Sequence, residues 1–381
     1  MNSVIMGAYV HIPFCEHICY YCDFNKYFIK NQPVKDYLDA LDKEMATAIS
    51  FAAGQKPETI YVGGGTPTAL EDDLFIKLLE NVKNRLYDPL MTTEFTVEVN
   101  PENLNITKLD AMKAAGVTRL SIGVQTFEDA LLEDLGRKHS KASAIQAVRL
   151  AQEHGFNNIS VDLMFGLPNQ TKEQLETSLI DAINLDPQHI SIYSLQIEPR
   201  TIFYNRLKKG KLTLPGQDIE ADMYDYLIRY LGANGFKQYE ISNFAKRGCE
   251  SRHNLIYWNN NEYYGFGAGA HGYVDGKRVI NARAVKGYIK RVNEAGHAKI
   301  ESHQVTEQER IEEEMFLGLR KLEGISKKDF EKKYQHSIDY YYRKPIAELV
   351  AKGLLFEDET HISLTEKGVF LGNEVFEAFL V

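Results

Sequence analysis

Between Val10 and Gln196 the chain alternates short apolar runs with amphipathic stretches, and this alternation limits the possible folds more than any other feature. After a first run near Val10, strands are expected at Thr59–Val62, Glu94–Glu98, Arg119–Gln125, Asn158–Phe165 and His189–Gln196. Helices are expected between them, beginning with Val34–Ser50, where Tyr37, Leu38, Leu41, Met45 and Ile49 share one stripe. Further helices are expected near Glu71–Leu86, Lys108–Ala115, Glu128–Leu135, Ala142–His154 and Lys172–Ile183. Gly116, Gly155 and Pro187 stand where such helices would stop. Strand followed by helix, repeated, predicts a parallel sheet with helical crossovers.

Polar residues near strand ends separate a barrel from an open sheet. Glu98, Gln125, Asp162 and Gln196 lie toward the C-terminal ends of their runs, Asp162 the least terminal. In a barrel those ends ring one mouth, where chemistry is placed, whereas an open doubly wound sheet spreads them along an edge. About six strands are too few to close an eight-stranded barrel. The expected fold is therefore α/β, a partial (β/α)6 TIM-like barrel with a lateral opening wide enough for a bulky second ligand.

Beyond this core the pattern changes. Thr201–Gly216 carries no firm signal, Gln217–Leu231 is helical, and Phe236–Ser242 reads as one more strand. Ser251–Gly272, rich in aromatics, Gly and Asn, fits neither a helix nor an alternating strand. Glycines there would bring backbone close to a ligand or to another backbone. A helix at Glu307–Lys321, a helix–turn–helix-like stretch at Ser326–Lys352 and two β runs, Gly353–Phe356 and His361–Leu364, predict a small winged-helix-like domain. The expected organisation is a core over residues 1–240, a connecting segment over 241–300 and the C-terminal domain over 301–381.

Charge then narrows the partners. With 44 basic and 53 acidic residues, the net charge of −9 disfavours a nucleic-acid surface, winged helix or not. The stretch Met1–Gly7 has neither a basic n-region nor a long apolar h-region, so no signal peptide is expected. No apolar run approaches the roughly 18 residues of a membrane span.

Three of the four cysteines, Cys15, Cys19 and Cys22, fall within eight residues as C-x3-C-x2-C, directly behind the first apolar run. Three thiolates on one tight loop can hold a [4Fe-4S] cubane, whose fourth iron is then left open to a small molecule. A zinc loop is the alternative, with His11 or His17 as fourth ligand, though structural zinc prefers two well-separated ligand pairs. Disulfides fit poorly, since three clustered cysteines cannot all pair. Clustered reduced thiols point to a reducing cytoplasm.

C-x3-C-x2-C is the signature of the radical S-adenosylmethionine (SAM) family, and this loop resembles theirs. In that family SAM binds the open iron, and an electron from the cluster cleaves it to a 5′-deoxyadenosyl radical. The resemblance extends over essentially the whole chain. It carries Tyr9-Val-His-Ile-Pro-Phe-Cys15, Gly63-Gly-Gly-Thr-Pro-Thr68, Val97-Glu-Val-Asn-Pro101, Gly123-Val-Gln-Thr-Phe127 and Asp162-Leu-Met-Phe-Gly-Leu-Pro168. These resemble the branch that holds oxygen-independent coproporphyrinogen III dehydrogenase and the HemW-type haem chaperones. By that resemblance the cofactors are a [4Fe-4S] cluster, SAM and haem. The SAM site would include Tyr9, Tyr21, Gly64, Gly65, Thr66, Glu98, Gln125, Arg137 and Asp162. The residue types agree: Arg137 can pair with a carboxylate, and Glu98, Gln125 and Asp162 can accept from ribose and amine. A buried carboxylate also needs a partner for structural reasons alone.

Three features favour the chaperones over the dehydrogenase. Phe24 stands where the dehydrogenase has a further cysteine, and the first cluster cysteine is already residue 15, where the dehydrogenase has a long N-terminal extension. His253-Asn-Leu-Ile-Tyr-Trp258 matches the chaperones' H-N-x-x-Y-W motif. A neutral His253 could ligate haem iron, and Tyr257 and Trp258 offer flat faces to a macrocycle. A histidine among aromatics is also commonly a packed, hydrogen-bonded residue. His271 is a second candidate ligand, while Cys249 reads as a plain thiol. The resemblance implies cytoplasmic haem delivery to respiratory haem proteins, with contact at the membrane through those acceptors, and it admits a homodimer.

Overall fold

A computed structural model describes residues 5–51 and 54–380, so the first residues of the stretch read for a leader lie outside the described residues. The alternating half of the chain forms six parallel strands: β1 (Gly7–Ile12), β2 (Thr59–Gly64), β3 (Glu94–Val99), β4 (Arg119–Gln125), β5 (Ile159–Phe165) and β6 (His189–Ser194). They lie side by side in chain order. Between them run α1 (Val34–Phe51), α2 (Asp72–Leu86), α3 (Ile106–Ala115), α4 (Asp129–Asp134), α5 (Lys141–Glu153) and α6 (Lys172–Asn184). Capping boxes at Ser140/Ser143 and Thr171/Gln174 start α5 and α6, satisfying amides that a helix leaves free at its first turn. The stripe expected on α1 is buried, and Tyr37, Leu38, Leu41 and Met45 pack into the main core beside Val10, Val62 and Val97.

The sheet does not stop at six strands. Beyond β6 the run expected as one strand forms β7 (Lys237–Glu240), and a further strand outside that run, β8 (Asn243–Ala245), pairs with it antiparallel. On the other side the segment expected to connect supplies two helices, α9 (Arg252–Trp258) and α10 (Val285–Ala295), and four strands. These are β9 (Tyr263–Phe266), parallel to β1, then antiparallel β10 (His271–Val274), β11 (Lys277–Asn281) and β12 (Lys299–Gln304). Ser251–Gly272 therefore contains both a helix and a strand, a correction to its reading as neither. Glycine disguised the strand: a Cβ on Gly265 would run into the His271 carbonyl, so the hairpin closes only on a bare backbone. Buried Glu44 of α1 accepts from the Gly267 amide, Asn281 and Tyr288 at 2.9, 2.8 and 2.7 Å, tying this hairpin to the barrel wall.

The outermost strands β12 and β7 do not pair with each other among the described residues, so the mixed sheet forms a partial barrel and stays open. Thr201–Gly216, which carried no signal, holds the helix α7 (Ile202–Lys208), started by the Thr201 hydroxyl, and the helix expected over Gln217–Leu231 follows as α8 (Gln217–Ala233). Residues 311–379 bury a second core, including Met315, Phe330, Ile346, Leu349, Ile362 and Phe379. It is built from α11 (Glu307–Gly318), α12 (Lys327–Tyr334), α13 (Ile338–Ala351) and a three-stranded antiparallel sheet. No helix among the described residues is long and apolar enough to cross a membrane.

Candidate functional site

Strand order in the barrel turns scattered polar residues into one wall. Along β4 the alternate residues Arg119, Ser121, Gly123 and Gln125 line a cavity of about 350 Å³, because side chains of one strand face alternate sides. Cys15, Cys19 and Cys22 line the same cavity from above, with Tyr21, Gly64, Gly65, Thr66, Glu98, Arg137 and Asp162. Nearly the whole expected cluster and SAM set thus meets in one place. Tyr9 is the exception and lines a neighbouring cavity.

The cysteine loop is held by its neighbours. Thr66 Oγ1 donates to Cys15 Sγ at 3.7 Å, and Arg137 Nη1 donates to Cys19 Sγ at 3.5 Å. Lys26 Nζ donates to the Cys22 carbonyl. Burial pushes the Cys15 thiol up to about 12 and raises Cys22 as well. The Lys26 cation opposes that rise at both sulfurs and so favours the thiolates a cluster requires. A Cβ on Gly65 would stand 2.9 Å from Cys15 Sγ and 2.8 Å from the Phe14 carbonyl, so the loop can lie this close only over glycine. Among the described residues, no three His, Cys, Asp or Glu side chains gather closely enough to share a single metal ion. A cubane gives each thiolate its own iron, and three thiols lining one cavity suit that arrangement.

The polar residues around the cavity are fixed by specific bonds. Glu98 accepts from Tyr61 OH and the Gly64 amide, each at 2.9 Å. Asp162 accepts from Ser121 and Ser160 hydroxyls, each at 2.7 Å. Burial raises both carboxyls above their ordinary range, and these hydrogen bonds oppose it. Gln125 sits at φ 66°, where β4 shifts register against β5, and this left-handed turn places its amide in the cavity. Such a conformation costs of order 1–3 kcal/mol for a non-glycine residue and collects at functional sites.

Asn100 went unnoticed as a site residue although it stands in the quoted Val97–Pro101 motif. Its Oδ1 accepts from Arg137 Nη2 at 3.0 Å, and its Nδ2 donates to Thr66 Oγ1 at 3.2 Å. It therefore ties the residues around Cys15 to those around Cys19. Tyr61 and Arg119 were also missed. Their signal lay in strand alternation, which puts them on the same inward face as Glu98 and Gln125.

A second cavity of about 490 Å³ adjoins the first and shares Phe24, Tyr61, Glu98 and Asn254 with it. Tyr9, Tyr61, His253, Tyr257 and Tyr263 form a run of rings along its wall, with successive centroids 6.1, 5.2, 5.0 and 4.6 Å apart. His253 and Tyr257 meet here because residues four apart share a helix face. His253 is 1% exposed. Its Nδ1 is 2.7 Å from Thr59 Oγ1 and its Nε2 is 2.8 Å from Tyr257 OH, so both ring nitrogens are engaged. Trp258 departs from expectation. One residue further round α9, it lines neither cavity and instead lies under the Arg320 guanidinium, 4.5 Å from the ring centroid. Cys249 lines neither cavity.

Comparison with known proteins agrees with this geometry. Residues 9–182 match the radical SAM superfamily, and residues 305–371 match the HemN C-terminal domain. The protein named heme chaperone HemW from Bacillus subtilis is 52% identical over 98% of this chain and 99% of its own. That from Lactococcus lactis is 42% identical over 98% and 97%, and that from Escherichia coli 36% identical over 98% of both. In structure, coproporphyrinogen III oxidase (HemN) from Escherichia coli, a radical SAM enzyme, superposes with a TM-score of 0.86 at 25% identity, covering 99% of this chain and 90% of that one. With relatives this similar along nearly its whole length, and with the cysteine triad facing the strand ends of a partial barrel, the chain belongs to the HemW family of radical SAM proteins.

Proposed function

We propose that the protein is a haem chaperone, which binds haem beside a [4Fe-4S] cluster and SAM and passes it to respiratory haem proteins. The observation that carries this reading is the second cavity, walled by aromatic rings and sharing Tyr61 and Glu98 with the cluster cavity. Flat rings on one side suit a planar macrocycle, and the relatives carrying the name heme chaperone align with 98% of this chain. Cys15, Cys19 and Cys22 would hold the cluster, which with SAM supplies one-electron chemistry when bound. Arg137 is the cation for the SAM carboxylate, and Glu98, Gln125 and Asp162 take its amine and ribose. Respiratory haem proteins would be met from the cytoplasm, at the membrane face.

The test is a hemin titration of anaerobically reconstituted protein, with iron and sulfide assayed in parallel. Saturable, stoichiometric hemin binding is expected; its absence would sink the chaperone reading. A second reading, radical decarboxylation of coproporphyrinogen III, is favoured by the likeness to HemN. With reductant, SAM and coproporphyrinogen III we expect no protoporphyrinogen IX, and its formation would move the assignment to the enzyme. Phe24 in place of a further cysteine argues against that outcome.

A further inference from the structure

We propose that His271 ligates the haem iron in the second cavity and Arg283 meets a propionate, while His253 positions the aromatic wall. This rests on the reading of the protein as a haem binder. An axial ligand needs a ring nitrogen with a free lone pair and open approach. Three histidines line this cavity: His11, His253 and His271. His253 is buried with both nitrogens committed to Thr59 and Tyr257. His11 is likewise buried, its Nδ1 2.9 Å from Tyr9 OH and its Nε2 2.8 Å from the Asn25 carbonyl. For either to reach iron, a buried hydroxyl or carbonyl must lose its partner, at a cost in free energy.

His271 is different. It is exposed, and no hydrogen bond or ion pair engages it among the described residues. Its backbone is nonetheless fixed, since His271 opens β10 in register with Ile280 and its carbonyl lies against Gly265. Although its surface is exposed, partial desolvation in the cavity, and then Arg283, holds its imidazole below the usual range against the opposing pull of Glu301, which keeps the neutral, ligating form present. The Arg283 carbonyl accepts from Asn25 Nδ2 at 3.0 Å and Tyr27 OH at 3.1 Å, which anchors this loop to the chain leaving the cluster cysteines. Arg283 itself is exposed and makes no ion pair among the described residues. A free imidazole on a fixed backbone, with an exposed guanidinium lining the same cavity as the tyrosine rings, matches an iron, a carboxylate and a flat macrocycle.

The experiment compares hemin complexes of the full chain by Soret absorption and EPR. His271→Ala should lose the imidazole-ligated spectrum, and added imidazole should restore it. His253→Gln should keep that spectrum while binding hemin several-fold more weakly. Wild-type protein should prefer hemin over its dimethyl ester by roughly tenfold, the lower end of what one hydrogen bond to a charged group contributes, and Arg283→Ala should erase the preference. A folded His271→Ala that keeps the wild-type spectrum would overturn the proposal, as would its loss in His253→Gln alone. Failure of the wild type to bind hemin would instead defeat the chaperone reading beneath it.

Discussion

Cys15, Cys19 and Cys22 announce themselves by spacing, but what lets them sit over the barrel is Gly65. We expect Gly65→Ala to reduce cluster incorporation by more than half, read from iron, sulfide and charge-transfer absorbance, because the new methyl would collide with Cys15 Sγ and the Phe14 carbonyl. His253 was expected as a ligand, and the structure engages both of its nitrogens. Burial, and then Arg119, pushes it down to about 3. Its folded value is below the unfolded one near 6.5, so its contribution to stability is full above that value and is lost as pH falls from there toward 3. The loss is on the order of 5 kcal/mol at most. His253→Gln should flatten the acid limb of stability against pH; an unchanged limb would place the titrating group elsewhere.

At the scale of elements, local pattern and distant contact divide the work. The six central strands and their helices arise from periodicity within each segment, and their ends are set by nearby caps such as Thr171 with Gln174. Helix α9 has a nearby cap as well, Ser251 Oγ accepting from the Asn254 amide at 3.3 Å, but needs more than that. Its seven residues are too few to hold themselves. It forms because Glu94, from β3, accepts from the Arg252 and His253 amides at 2.9 and 3.1 Å, a carboxylate at the positive end of the helix. Glu94→Ala would leave both amides unpaired and should cost about 3 kcal/mol, whereas Glu94→Gln keeps an acceptor and should cost about 1 kcal/mol. Urea unfolding at neutral pH reads both. Equal effects would show that charge, rather than acceptor geometry, organises the helix.

At the scale of the molecule, the C-terminal domain docks against α9 and the strands beside it. Arg320 covers Trp258, Lys321 Nζ donates to Asn259 Oδ1 at 2.6 Å, and Arg278 pairs with Glu313 at 2.7 Å. Trp258 is the chain's only tryptophan, so its emission reports this junction. Arg320→Ala should red-shift that emission and loosen the domain by about 1 kcal/mol, the scale of one cation–π contact; unchanged emission would mean that Arg320 does not shield the indole. For the same reason Trp258 quenching measures haem proximity and not ligation, which is why absorption and EPR carry the ligand test. The sequence by itself determined the parallel core, the cluster loop and most of the residues around it. Those depend on short-range periodicity and on motif spacing, which a linear string preserves. Tertiary structure alone decided that β9 joins β1, that Tyr9 and Trp258 leave the cavity each was expected to line, and that His253 is engaged while His271 is free. These outcomes depend on which distant donor or ring arrives opposite each side chain, and only the folded barrel brings them there.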